Sequence, residues 1–98
     1  MEKYPERIPI ICEKGNDSNI PGIDKTKYLI PKDLTVHQFT YVIRKRLNLN
    51  KEQALWLFVN GKYLVKGDTL MSQVYDKMKD PDGFLYISYS GENVYGFN

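Results

Sequence analysis

Lys27-Tyr28-Leu29-Ile30-Pro31, followed closely by Thr35-Val36-His37-Gln38-Phe39, is the stretch whose reading decides the fold. The first five residues read as a short strand, aromatic and β-branched at period two and closed by proline. Alternation sends Tyr28 and Ile30 to one face of a sheet and Lys27 and Leu29 to the other. Proline has no N–H to give to a ladder, so Pro31 suits an edge strand. An edge strand with apolar residues on both faces invites pairing by another chain. A partner peptide is therefore expected to add here as an extra strand, dropping one side chain on each face. Thr35 and Gln38 have the spacing of a capping box, which starts a helix. Val36, Phe39, Val42, Ile43 and Leu47 then form an apolar stripe at helical spacing. Arg44-Lys45-Arg46 bring positive charge to the negative end of that helix.

Upstream, Tyr4-Pro5 is an extended dipeptide in a polar start. Arg7 to Lys14 reads as a strand with Ile8, Ile10 and Cys12 on one face and Pro9 and Ile11 on the other. Gly15 to Asp24 is rich in turn formers and short enough to close a hairpin. Downstream, Leu55 to Val59 reads as a buried strand, and Asn60-Gly61 is a hairpin turn returning through Tyr63-Leu64-Val65. A second helix is predicted from Thr69 to Lys79, with Leu70, Val74 and Met78 stacked four apart and Met71 and Tyr75 beside them. Asp80-Pro81-Asp82-Gly83 is a turn, Phe84 to Ser90 a last strand, and Gly91 to Asn98 a polar tail. Two hairpins around one long helix, closed by a strand, give an α+β protein of the β-grasp, ubiquitin-like roll. It has a mixed sheet with the first and last strands in its middle, one main helix and a second short one. The expected organisation is one domain over 1–90 and a flexible tail over 91–98.

Bulk properties narrow the function. Ninety-eight residues suffice for one core. A net charge of +2 is too small to argue by itself for nucleic acid or an anionic membrane. One cysteine excludes an intramolecular disulfide and fits a reducing compartment. No apolar run approaches the roughly 20 residues of a membrane span, and the start does not resemble a signal peptide. A cytosolic or nuclear protein is expected.

Catalytic patterns are missing. Cys12 shares the parity of Ile8 and Ile10 and reads as core. His37, the only histidine, falls out of step with the apolar stripe and reads as a surface residue. One histidine and one cysteine are too few for a zinc site, and no glycine loop is arranged to cradle phosphate. The chain is not expected to be an enzyme, to bind a metal or to need a cofactor. The basic run Arg44-Lys45-Arg46, with Lys25, Lys27 and Arg7, has two readings. Arg44 and Lys45 are a solvated helix end, or Arg7, Lys27 and Arg46 border the edge strand and attract acidic residues of a peptide.

Several segments resemble one family. Tyr4-Pro5-Glu6-Arg7-Ile8-Pro9, Asp24 with Lys27 to Pro31, Asp33-Leu34-Thr35-Val36 and Ile43-Arg44-Lys45-Arg46 are similar to the autophagy ubiquitin-like modifiers of the GABARAP-like group. So are Phe58-Val59-Asn60, Asp82-Gly83-Phe84-Leu85-Tyr86 and Tyr89-Ser90-Gly91-Glu92. The resemblance covers nearly the whole chain in the family's order.

It implies a tail trimmed after a glycine by a dedicated cysteine protease. Activating and conjugating enzymes then carry that glycine as thioesters before it is joined to phosphatidylethanolamine, the one covalent group expected. Gly96 occupies that position and Phe97-Asn98 is the removed extension; glycine, lacking a Cβ, fits a narrow cleft. The resemblance also implies recognition of short aromatic-x-x-aliphatic motifs in cargo receptors and adaptors. Pro9, Ile11, Lys27, Leu29 and Phe84 would line the aromatic pocket. Tyr28, Ile30, Pro31, Leu34, Phe39 and Val42 would line the aliphatic one, and Arg7, Lys27 and Arg46 would meet acidic residues. Two buried anchors at roughly 1.5–3 kcal/mol each and a few backbone hydrogen bonds at about 1 kcal/mol each, partly offset by ordering and association, suggest affinity near micromolar, about −8 kcal/mol.

The family usually carries two amino-terminal helices over the outer sheet face, whereas six residues precede Arg7 here. Either those helices have been removed or this is a short family member. Pro9, Ile11, Leu29, Phe84 and Tyr86 are then expected to be more exposed, with self-association through that face. The location implied is cytoplasmic, with an autophagosomal membrane pool after lipidation. The alternative is an unconjugated peptide-binding adaptor in trafficking or cytoskeletal attachment. A nucleic-acid binder built on Arg44-Lys45-Arg46 is disfavoured by the lack of a broad basic face.

Overall fold

The computed structural model describes residues 7–15, 20–64 and 66–91. Its elements run β1 (Arg7–Lys14), β2 (Lys27–Pro31), α1 (Val36–Leu47), β3 (Trp56–Val59), β4 (Lys62–Tyr63), α2 (Met71–Met78) and β5 (Leu85–Ser90). They build one mixed sheet in the order β2-β1-β5-β3-β4. β1 pairs antiparallel with β2, with Pro9 opposite Leu29, and parallel with β5, with Ile11 opposite Tyr86. β2 is thus an edge, as Pro31 suggested. The tail beyond Gly91, together with Tyr4-Pro5, residues 16–19 and Val65, lies outside the described residues.

The alternation read from the sequence is realised. Ile8, Ile10, Cys12, Tyr28, Ile30, Leu57, Leu85 and Ile87 are buried in one core with Phe39 and Ile43 of α1. α1 begins as its capping box requires, with the Gln38 amide donating to Thr35 Oγ1 at 3.1 Å and Thr35 N–H to Gln38 Oε1 at 2.9 Å. The remaining first-turn donors are met from afar, Val36 N–H by Thr69 O and His37 N–H by Gly67 O, both at 2.9 Å. Asn60 and Gly61 both have positive φ (54° and 79°), as a two-residue hairpin turn between β3 and β4 demands.

Val42, in the apolar stripe of α1 and expected at a pocket, is 37% exposed, because it lies one residue, about 100° of helix, around from Ile43 and off the buried arc. Two expectations are corrected. α2 starts at Met71 rather than Thr69: Leu70 is extended and bridges Thr35. β5 starts at Leu85 rather than Phe84, whose N–H is taken by the Asp82 carboxylate.

Candidate functional site

The outer face of the β2 edge carries a cleft of about 420 Å³ lined by Pro9, Lys25, Lys27, Tyr28, Leu29 and Phe84. Three separate segments meet there. β1 supplies Pro9, the end of the β1–β2 connection and β2 itself supply Lys25 to Leu29, and the turn before β5 supplies Phe84. The volume falls in the range of ligand pockets. Leu29 is 52% exposed although it sits in a strand, and among the described residues β2 pairs only on its β1 side. Apolar wall and edge are therefore side by side.

Of the residues expected at an aromatic pocket, Pro9, Lys27, Leu29 and Phe84 come together in this cleft. Ile11 lies one pair further along the same face, between Lys27 and Tyr86. The residues expected at an aliphatic pocket divide. Tyr28, Ile30 and Phe39 belong to the core, with the Tyr28 and Phe39 rings edge to face at 5.9 Å. Leu34 is half-buried, and Pro31 and Val42 are exposed. Of that set, these last three carry the accessible apolar surface.

The cations are disposed unequally. Lys27 is exposed at the cleft. Arg7 makes a long hydrogen bond from Nη1 to Leu29 O at 3.4 Å. Arg46 Nε–H donates to Asp24 Oδ1 at 3.1 Å. Arg44 is not a freely solvated helix end: its guanidinium donates to Gln53 O and Asn50 O, both at 2.7 Å, and ties down the turn after α1. Lys45 instead lies 5.5 Å from the Tyr41 ring centre.

Burial sets the ionisation of the inner groups. The Cys12 thiol is pushed up to about 12, chiefly by burial and secondarily by the Glu13 charge, so it is neither thiolate nor nucleophile at neutral pH. His37 is on the surface of α1. Burial also pushes the Tyr28 hydroxyl up to about 12, and that hydroxyl has no hydrogen-bond partner among the described residues. Among the described residues no cluster of three or more His, Cys, Asp or Glu is arranged to hold a metal, and no helix is long and apolar enough to cross a membrane.

Sequence reasoning missed three contributors. Lys25, noted in the sequence only as one of several basic residues, lines the cleft and lies 5.1 Å from the Tyr28 ring centre. Asp24 pairs with Arg46 from 22 residues away, which no local pattern reveals. Asp82 holds Phe84, and here a signal existed, since an aspartate two residues before a backbone N–H in a turn is the Asx pattern.

A mixed sheet with its first and last strands parallel near the centre, crossed by one long helix, defines a ubiquitin-like protein. A family model described as "Autophagy protein Atg8 ubiquitin like" matches residues 1–96. Autophagy-related protein 8e of Arabidopsis thaliana is 59% identical over 95 residues, covering 97% of this chain and 77% of that protein. Autophagy-related protein 8 of Mycosarcoma maydis is 58% identical over 95 residues, covering 97% of this chain and 80% of its own length. The crystal structure of Trypanosoma brucei ATG8 superposes with a TM-score of 0.85 at 49% identity, covering 92% of this chain and 77% of that one. The chain belongs to the Atg8 family of autophagy ubiquitin-like proteins.

Proposed function

We propose that this protein is a conjugatable modifier that recruits cargo receptors to autophagic membranes through short motifs. A cysteine protease cleaves after Gly96. An activating enzyme, consuming a nucleoside triphosphate, turns the new carboxylate into an acyl adenylate whose nucleotide is displaced by the enzyme thiol. The resulting thioester passes by exchange to the thiol of a conjugating enzyme. The amine of phosphatidylethanolamine then displaces the enzyme thiol to form an amide. The family match ends at residue 96, so Gly96 is its last matched position. The protein is then cytoplasmic before conjugation and on the autophagosomal membrane after it.

The observation that carries motif recognition is an apolar cleft opening beside an unpaired strand edge. A bound segment pairs its backbone with β2 and lays its aromatic side chain in the cleft. Its aliphatic side chain lies over Pro31, Leu34 and Val42, with Tyr28, Ile30 and Phe39 packed beneath. Acidic residues preceding the aromatic meet Arg7, Lys27 and Arg46. The Arg46–Asp24 pair is exposed on both sides, and such pairs contribute only about 0–1 kcal/mol. A peptide carboxylate therefore replaces Asp24 at little cost.

Two measurements test the two halves. Intact mass of the protein from cells induced to autophagy should show loss of Phe97-Asn98 and, in the membrane fraction, an added phospholipid. Unchanged mass in both fractions leaves the unconjugated adaptor. Calorimetric titration with an acidic Trp-x-x-Leu peptide should give affinity near micromolar; no heat with that peptide removes motif recognition. Self-association through Leu29 and Tyr86, which are 52% and 41% exposed, should appear as a concentration-dependent sedimentation coefficient. A constant monomer value dismisses it.

A further inference from the structure

We propose that Asp82 is a positioning residue of the cleft, holding the Phe84 ring where an incoming aromatic side chain requires its wall. The inference rests on the motif-binding reading above and adds a determinant of specificity to it. Asp82 is exposed and does not line the cleft. Its carboxylate nevertheless accepts hydrogen bonds from Phe84, which lines the cleft, and from Tyr86, whose ring packs near that of Phe84. Oδ1 takes the Phe84 N–H at 2.9 Å, and Oδ2 takes the Tyr86 hydroxyl at 2.6 Å.

The consequence is geometric. Phe84 precedes β5 and so has no ladder partner of its own to hold it. Its N–H is held by Asp82, and its carbonyl accepts the Asp80 N–H at 2.9 Å. The turn between them is closed by Gly83 N–H to Asp80 O at 2.9 Å, and Gly83 has φ of +91°, which a residue with a Cβ adopts only with strain. Tyr75 of α2 donates from its hydroxyl to Gly83 O at 2.7 Å. With both backbone polar groups of Phe84 engaged, its Cα is fixed. Behind it, the Tyr86 ring sits 6.4 Å away at 52°, and the same carboxylate anchors that ring by its hydroxyl. One side chain therefore sets the wall and its backing together.

The electrostatics agree with an ionised acceptor. The hydrogen bond from Tyr86, then that from Phe84 N–H, holds the Asp82 carboxyl below its usual range, and the same bond raises the Tyr86 hydroxyl. Charged acceptors make the shorter and stronger hydrogen bonds, and the 2.6 Å contact is of that kind.

The experiment is a double-mutant cycle between protein and ligand, with calorimetry on the whole chain. An acidic Trp-x-x-Leu peptide and the same peptide with Trp replaced by Ala are titrated into wild type, Asp82→Ala, Asp82→Asn and Tyr86→Phe. For Asp82→Ala the Trp peptide should bind about tenfold more weakly, while the Ala peptide changes by less than roughly twofold. Asp82→Asn keeps one acceptor oxygen and should recover part of the loss, and Tyr86→Phe should fall between. Equal loss for both peptides, or no loss for either, overturns the proposal. The Phe84 amide and ring NMR signals in the unliganded protein separate this failure from that of the motif reading. If wild type binds neither peptide but these signals move in Asp82→Ala, motif recognition falls and the positioning of Phe84 stands. If they do not move, the positioning is refuted whatever the peptides do.

Discussion

The two faces of β2 carry similar side chains and meet opposite fates. Tyr28 and Ile30 are 7% and 5% exposed, whereas Leu29, between them, is 52% exposed. Chemistry does not distinguish these residues; coverage does. α1 crosses the inner face and seals it with Phe39 and Ile43, while the outer face is left as a cleft bordered by Pro9 and Phe84. Hydrophobic residues on one strand therefore divide into those that hold the fold and those available to a partner. An exposed leucine alone would mean little, but Leu29 shares the cleft with Pro9 and Phe84 and lies on a strand that is an edge of the sheet among the described residues.

Truncating one side chain on each face is the most forceful way to break this comparison. Phe39→Ala on the inner side should cost about 3–5 kcal/mol of stability, read as a lowered urea midpoint. Leu29→Ala should leave stability within about 0.5 kcal/mol yet weaken an acidic Trp-x-x-Leu peptide by about tenfold. If Leu29→Ala destabilises as much as Phe39→Ala, the outer face is part of the core after all.

Alkaline unfolding probes chiefly the inner face, where burial acts on the two largest shifts. Cys12 and Tyr28 are acids whose folded values, both about 12, lie above their ordinary 9.0 and 10.0. The unfolded chain loses these protons first, so it binds fewer protons than the folded chain from about pH 9 upward. Stability should therefore fall as pH rises between about 9 and 12. A flat urea midpoint across that window would show that these groups are not held neutral by burial.

A smaller effect separates adjacent cations at the end of α1. Arg44→Ala removes two charged hydrogen bonds to the Asn50 and Gln53 carbonyls and should cost about 1–3 kcal/mol. Lys45→Ala should stay within about 0.5 kcal/mol. Equal effects in thermal unfolding would return both to the status of a solvated helix end. The smallest effect belongs to Tyr28→Phe, which deletes a buried hydroxyl without a partner among the described residues. Its melting temperature should be unchanged or slightly raised; a clear drop would reveal a hydrogen bond to that hydroxyl.

Much of the fold was legible because its signals are local. Parity in Arg7–Lys14 and Lys27–Pro31, the Thr35–Gln38 box and the Asn60-Gly61 turn all act through neighbours a few residues apart, and the structure realises each. Val42 belongs to the apolar stripe yet is exposed, because an i+3 step from Phe39 drifts off the buried arc. The start of α2 was misread because Thr69 and Leu70 are drawn into contacts with Val36 and Thr35. At the site, β2 was visible from its proline and alternation, whereas Lys25 and the Asp24–Arg46 pair were not.

By itself, then, the sequence determined which segments are strands and helices, which face of each is apolar, and that Lys27–Pro31 is an edge. Those properties follow from backbone periodicity and capping chemistry, which act within a few residues. Tertiary structure alone decided that Lys25 joins Pro9, Leu29 and Phe84 around one cleft, that Gly67 and Thr69 cap α1, and that Asp24 holds Arg46. Each of these involves residues about twenty or more positions apart. Their meeting depends on how the sheet orders its strands and on which face α1 covers, and no local pattern records either.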